Sequence, residues 1–192
     1  MTLISLRHSL RACYLDFAVY ALLIFGLGSS LAPPQTPREA AGLLVLALVG
    51  LALWSLIEYL THRFVLHGIQ PFQGWHSEHH AHPREHLGLP TWLSLALFTA
   101  LVYLPLRAML GAASAGPLMI GVLAGYLIYS MAHHASHHWP ARGMWMERRK
   151  RWHALHHQAG QARCYGVSTT FWDRALGSHL RQRGLSERSR SP

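Results

Sequence analysis

The sequence predicts an all-α fold: an integral membrane protein of four transmembrane helices with a cytoplasmic, histidine-rich helical cap. Three observations carry that prediction. The 192 residues are 51% hydrophobic but only 13% charged. Four long windows contain no Asp, Glu, Lys or Arg. Fourteen of the sixteen histidines fall in two segments, His62–His86 and His133–His157, each beginning at the end of one such window.

This composition excludes several classes. Disorder requires low hydrophobicity with dense charge, and two cysteines, Cys13 and Cys164, are too few for a disulfide scaffold. The first window, 17–37, holds 21 uncharged residues; 40–57 holds 18, 87–106 holds 20 and 108–132 holds 25. A helix of about 20 apolar residues crosses a bilayer core of about 30 Å. Spans are therefore expected at about 17–37, 40–57, 87–106 and 112–132. The second and third are the most apolar, AGLLVLALVGLALWSLI and TWLSLALFTALVYLPL. The first and fourth carry more Gly, Ser and Pro, which suit membrane helices because small residues allow close approach. Pro105 and Pro117 are expected to mark a helix end and a helix start around the loop RAMLGAASAG. A soluble bundle is disfavoured, since nothing between the windows offers a polar face to cover them. At the N-terminus, Arg7, Arg11, an apolar run and GSSLA also resemble a cleavable signal, but the segment continues into a hairpin through APPQTP.

The net charge is +9, and its placement orients the spans. With four spans, the N-terminus, the segment 58–86 and the C-terminal part share one side. That side holds fifteen basic residues, and the other holds only Arg38 and Arg107. By the positive-inside rule the histidine-rich side is cytoplasmic. The chain is thus expected to form a single domain over 1–192, with a cap from 58–86 and 133–180 and a flexible basic tail at 181–192. The basic residues are assigned to topology and anionic lipid headgroups. No nucleic-acid partner is expected, because no aromatic-interleaved basic motif accompanies the charge.

The histidine spacings are His62-x4-His67, His76-x2-His79-His80, His133-x3-His137 and His153-x2-His156-His157. Helix positions i, i+3 and i+4 share a face, so His76, His79 and His80 can converge on one point, as can His153, His156 and His157. His62 and His67 stand about 140° apart on a regular helix, and suit a place where the chain turns at the end of the second span. Ten imidazoles are too many for one ion, and two ions a few ångströms apart fit the count. His134 and His138 also stand one turn apart and are alternates to His133 and His137. His82 and His86 are further neighbours. Imidazole suits iron, zinc, copper and nickel alike. Glu58, one turn before His62, and Asp173 are candidates to accept an N–H bond from a ligating histidine, or to pair with a surface arginine.

These boxes resemble the membrane fatty acid hydroxylase and sterol desaturase superfamily of non-haem di-iron enzymes. The likeness spans roughly residues 55–180 and looks nearest to the fatty acid 2-hydroxylase branch. It rests on EYLTHRFVLHG, YSMAHHASHH and RWHALHHQAGQARCYGVSTTFWDRALGSHL in that order, and GWHSEHH resembles the carotenoid hydroxylases. The resemblance implies that His62, His67, His76, His79, His80, His133, His137, His153, His156 and His157 bind two Fe ions, with O2 as co-substrate. The implied activity is hydroxylation or desaturation of a membrane lipid, a fatty acyl chain, sphingolipid, sterol or carotenoid, in lipid biosynthesis. It further implies an external electron donor, ferredoxin or cytochrome b5-like. Zinc, without redox chemistry, could not serve such a reaction. The competing class is a histidine-rich membrane metal-binding or transport protein. Transporters place ionisable ligands near the bilayer midplane, whereas here the histidines sit at span ends. Sixteen arginines against one lysine suggest a GC-rich genome. The expected location is the inner or plasma membrane in a bacterium, or the endoplasmic reticulum in a eukaryote.

Overall fold

The computed structural model describes residues 8–158 and 163–180. The basic tail expected at 181–192 lies outside them. Every regular element described is helical: α1 Leu10–Ser30, α2 Pro37–Leu60, α3 Phe72–Ala81, α4 Thr91–Phe98, α5 Leu104–Leu110, α6 Ala112–His138, α7 Met144–His156 and α8 Phe171–Ala175. Two wider π-helical turns, Thr61–Leu66 and Thr99–Tyr103, continue α2 and join α4 to α5.

Local chemistry fixes the starts of the first two spans. The Ser9 hydroxyl accepts the Ala12 N–H at 3.1 Å, capping α1. Thr36 caps α2 by accepting the Glu39 N–H at 3.2 Å, and the Glu39 carboxylate reaches back to the Gln35 N–H at 2.8 Å. Pro37 opens the helix, where its missing N–H costs nothing. The cap also explains why α1 begins at Leu10, before the charge-free window. Asp16 lies inside the helix, near the end that carries the histidines.

The prolines behave differently from the sequence expectation. Pro105 does not end a helix. The π turn Thr99–Tyr103 precedes it, and α5 continues to Gly111, whose φ of 75° breaks the chain. A proline ring clashes with the carbonyl four residues earlier, and a widened turn relieves that clash. Nor does Pro117 start a helix, since α6 begins at Ala112 and carries Pro117 inside it. The expected loop is a single glycine joint between two helices.

Four stretches are long and apolar enough to cross a membrane: Leu10–Ser30, Pro37–Leu66, Thr91–Leu110 and Ala112–His138. In the last, 56% of the apolar window is buried, against 6–11% in the others, so α6 is the central strut. The outer spans turn large apolar side chains outward, among them Leu22, Phe25, Leu44 and Leu101, as a lipid solvent requires. The bundle core is Tyr20, Trp54, Phe98, Met119, Val122 and Leu123. α2 and α6 cross in backbone contact. A Cβ at Gly121 would fall 1.9 Å from the Ala47 carbonyl oxygen, and one at Gly50 2.0 Å from that of Leu118. One turn along, Gly125 receives the Trp54 side chain, so Gly121 and Gly125 form a small-xxx-small contact face. That crossing sets α2 and α6 side by side where both emerge at the histidine-bearing end. α1 is tied to α4 by the Tyr20 hydroxyl and Ser94 Oγ, 2.7 Å apart.

Candidate metal centre

The ten histidines read from the spacing come together as two groups of five. His62, His67, His76, His80 and His156 form one; His79, His133, His137, His153 and His157 form the other. Within each, one ligand atom per residue lies within 4.8 Å of all the rest. Each histidine box is thereby divided. His76 and His80 join the first group while His79 joins the second, and His156 joins the first while His153 and His157 join the second. The expectation that each HxxHH box converges on one point is corrected by helix geometry. Residues i and i+4 are about 40° apart, whereas i+3 and i+4 differ by about 100°, so neighbouring histidines address different centres.

The His62 and His67 pair is brought together by the π turn Thr61–Leu66. Its hydrogen bonds run i to i+5, so residues five apart stand close to one turn above each other. Their ring centroids are 5.4 Å apart, and no sharp reversal of the chain is needed between them. His133 and His137 lie on the last two turns of α6, facing the second group. His134 and His138, rotated about 100° from them, face His86 instead; the His86 and His138 rings stack at 4.2 Å. His82 lies outside both groups, with Nδ1 3.2 Å from the Glu78 carboxylate on an exposed face.

The nitrogen geometry suits metal ions. His62 Nδ1 donates to the Tyr165 carbonyl at 2.5 Å, and His156 Nδ1 donates to the Arg163 carbonyl at 2.8 Å. Those bonds fix the tautomer and leave the Nε2 lone pairs pointing inward. His76 Nε2 lies 3.0 Å from His62 Nε2 and 3.0 Å from His80 Nε2, and His156 Nε2 lies 3.1 Å from both His67 and His80 Nε2. In the second group the Nε2 separations are 3.1 Å for His133 and His79, 2.7 Å for His153 and His137, and 3.0 Å for His157 and His153. Two nitrogens bound at about 2.1 Å to one ion, at right angles, lie about 3.0 Å apart; a tetrahedral angle gives about 3.4 Å. The spacing fits a five- or six-coordinate ion in each group. Converging lone pairs repel one another until a cation sits among them.

Burial keeps these donors neutral. It pushes His156 and His157 down to about 3, His79 to about 2 and His67 to about 4, with crowding by other imidazoles adding to the effect. His153 is driven well below the ordinary histidine value by the same causes. A neutral imidazole is the form that binds metal.

Glu58 and Asp173 act at one remove from the imidazoles, their hydrogen bonds going to backbone N–H groups and hydroxyls rather than to a ligating histidine. Both are buried, 3% and 1% exposed. Glu58 accepts the Val167 and Ser168 backbone N–H groups at 2.7 and 2.9 Å, and also the Ser168 hydroxyl. Asp173 accepts the Tyr165 and Gly166 N–H groups, each at 2.9 Å, and the Ser178 hydroxyl at 2.7 Å. Between them they hold the segment whose Tyr165 carbonyl grips His62. A relay continues outward: Arg63 donates to the Tyr59 hydroxyl at 2.5 Å, and Tyr59 lies 2.9 Å from Ser178 Oγ. Spacing could not find the Arg163 and Tyr165 carbonyls, because a backbone acceptor has no side-chain signature. The only hint was a pair of acidic residues in otherwise apolar surroundings.

The basic run at 148–151 is not a uniform surface patch. Arg149 is buried, and Lys150 donates to the Trp139 carbonyl at 2.5 Å, leaving Arg148 and Arg151 exposed. Beside the two groups opens a cavity of about 230 Å³, lined by His76 of the first, by His79, His133 and His137 of the second, by Phe17, Leu66, Phe72 and Trp75, and by residues at the start of α1. Two neutral, all-imidazole groups at the end of a four-helix membrane bundle are the donor set of a membrane protein's two-metal site.

The chain belongs to the fatty acid hydroxylase family, whose pattern matches residues 47–178. It is 36% identical over 140 residues to the fatty acid 2-hydroxylase of Macaca fascicularis, covering 67% of this chain and 37% of that protein. It is 32% identical over 144 residues to a dihydroceramide fatty acyl 2-hydroxylase of Arabidopsis thaliana, covering 67% of this chain and 58% of the relative. The chain thus spans between about one third and three fifths of these relatives. Among solved structures, full-length scs7p, with only its hydroxylase domain visible, shares the fold: the TM-score is 0.74 at 24% identity, over 90% of this chain and 68% of that one.

Proposed function

We propose that this protein is an integral membrane di-iron oxygenase that hydroxylates a C–H bond of a fatty acyl chain or sphingolipid, at the 2-position by likeness to its relatives. The observation that carries the reading is the juxtaposition of two histidine groups with a cavity that reaches both, touching His76 of the first and His79, His133 and His137 of the second, and that carries Phe17, Leu66, Phe72 and Trp75 in its wall. Family membership supplies the reaction class. Iron bound in both groups would supply the two-electron redox chemistry that O2 activation needs. Overall, R–H, O2, two electrons and two protons give R–OH and water.

The protein's own groups have distinct tasks. His62, His67, His76, His80 and His156 would hold one iron and His79, His133, His137, His153 and His157 the other. The Arg163 and Tyr165 carbonyls keep two of the first five in the binding tautomer. Phe17, Leu66, Phe72 and Trp75 line the way to the second five, offering an acyl chain a dry path and excluding water from the reacting carbon. The electrons would come from a ferredoxin or cytochrome b5-like donor docking near exposed Arg148 and Arg151, on the cytoplasmic side by the charge bias. Anionic headgroups would share that face.

The test is expression of the chain with iron and an electron-donor system, iron determination per protein, and mass spectrometry of hydrolysed lipids. Two irons per chain and 2-hydroxy acyl chains are expected, both lost in His79→Ala and both kept in His82→Ala. Iron-loaded, reduced protein that leaves every lipid unchanged would sink the proposal.

A further inference from the structure

A third cluster of donor atoms lies apart from the two groups of five. Cys13 on α1, His86 in the segment before α4 and His134 on α6 each offer one atom, and the three lie within 4.8 Å of one another. His134 is 8% exposed, and its Nε2 is buried with no protein partner among the described residues; the Nε2 of His86 is likewise buried and unpartnered. An imidazole edge in such a place incurs the desolvation cost of a polar atom without a hydrogen bond to offset it. The surroundings hold the rings in place. His134 packs edge-on against Tyr14, Phe17 and Trp139, and His138 lies flat on His86. Asp16, one helical turn from Cys13, lines the same cavity and has its Oδ1 buried without a partner.

We propose that Cys13, His86 and His134 form a separate binding site for one zinc ion. A thiolate with two imidazoles is a softer donor set than five imidazoles, and it favours zinc over the oxygen-seeking cations. Binding converts the Cys13 thiol to a thiolate and releases its proton to solvent, forming a Zn–S bond with no change of oxidation state. The three ligands come from three separate parts of the chain, so the ion would act as a staple. It would lock the start of α1 and the 86–88 segment to the end of α6 across the cavity. That join is already begun by the His8 N–H bond to the His86 carbonyl at 2.8 Å and by His8 Nε2, 3.0 Å from the Gly88 carbonyl oxygen.

The test uses the full-length, iron-loaded protein in detergent with one equivalent of Zn2+. Zinc is expected to slow alkylation of Cys13, followed by peptide mass spectrometry, by about tenfold or more, and to leave Cys164 unchanged. Zinc-edge X-ray absorption should show one sulfur neighbour at about 2.3 Å. His86→Ala and His134→Ala should each abolish the protection while keeping wild-type iron content; His82→Ala should retain it. If a histidine variant fails to fold, Cys13→Ser takes its place and should lower bound zinc by one per chain with iron unaltered. Equal alkylation with and without zinc, or zinc seen only with nitrogen neighbours, would overturn the site. The iron measurement is independent of either result, so loss of this site and loss of the di-iron reading are distinguishable.

Discussion

The two histidine groups are alike in composition and unlike in support. In the first, His62 and His156 are anchored through Nδ1 to backbone carbonyls, and behind those carbonyls stand Asp173, Ser178, Tyr59 and Glu58. In the second, the Nδ1 atoms of His79, His153 and His157 are buried with no hydrogen-bond partner among the described residues. The second group presents three histidines to the cavity, His79, His133 and His137, and the first only His76. One centre is therefore tethered through its backbone contacts, and the other, more open to the cavity, is positioned by the helices.

The strongest test of this contrast removes one donor from each group. His156→Ala and His79→Ala should each abolish hydroxylation, by on the order of 100-fold or more, since metal supports such as these are worth 10–100-fold even when the ligands remain. Metal content per chain checks the result, and retention of both ions would contradict the assignment. Next in size is Asp173→Asn, which turns an N–H donor toward backbone N–H groups. It should weaken metal binding at the first group by about 10–100-fold and leave the second near its original affinity. Equal loss at both sites, measured by chelator competition, would erase the distinction.

Acid should act on both groups together, because burial rather than tethering holds their imidazoles neutral. The folded values of His156, His157 and His79 lie far below the ordinary 6.5. As pH falls through 6.5 the unfolded chain takes up protons that the folded chain refuses, so folding weakens from there toward about pH 3. Metal-free protein is thus expected to melt several degrees lower at about pH 5 than at about pH 7.5, as followed by circular dichroism. A melting temperature flat over that range would show the rings to be solvated. The smallest effect belongs to Tyr59→Phe, which removes the two hydrogen bonds of the Tyr59 hydroxyl, with Arg63 and with Ser178, from the relay behind His62 and should cost about 1–3 kcal/mol in chemical denaturation.

Much of this was legible in the sequence. Charge-free windows located four apolar helices, and spacing marked the histidine boxes whose members assemble, leaving His134 and His138 as alternates to His133 and His137. Two things were not legible. Adjacent residues such as His79 and His80, or His156 and His157, diverge by a helical step that matters only once two centres flank the same helix. The 140° between His62 and His67 holds for an α-helix, and a π turn is a property of the packed chain, with no residue that announces it. Glu58 and Asp173 stand out in the sequence as carboxylates near the site, but what they hold is backbone.

The glycine crossing of α2 and α6 has a mechanical reach. From Gly121 to His133 is twelve residues, about 18 Å at 1.5 Å per residue. Over that arm a change of one degree in crossing angle would move an imidazole by about 0.3 Å, a large part of the roughly 0.5 Å that a functional site tolerates. With backbone against backbone at Gly50 and Gly121, there is no side chain there to yield. The precision of a site at the end of the bundle is in this sense machined where α2 and α6 cross, well away from it.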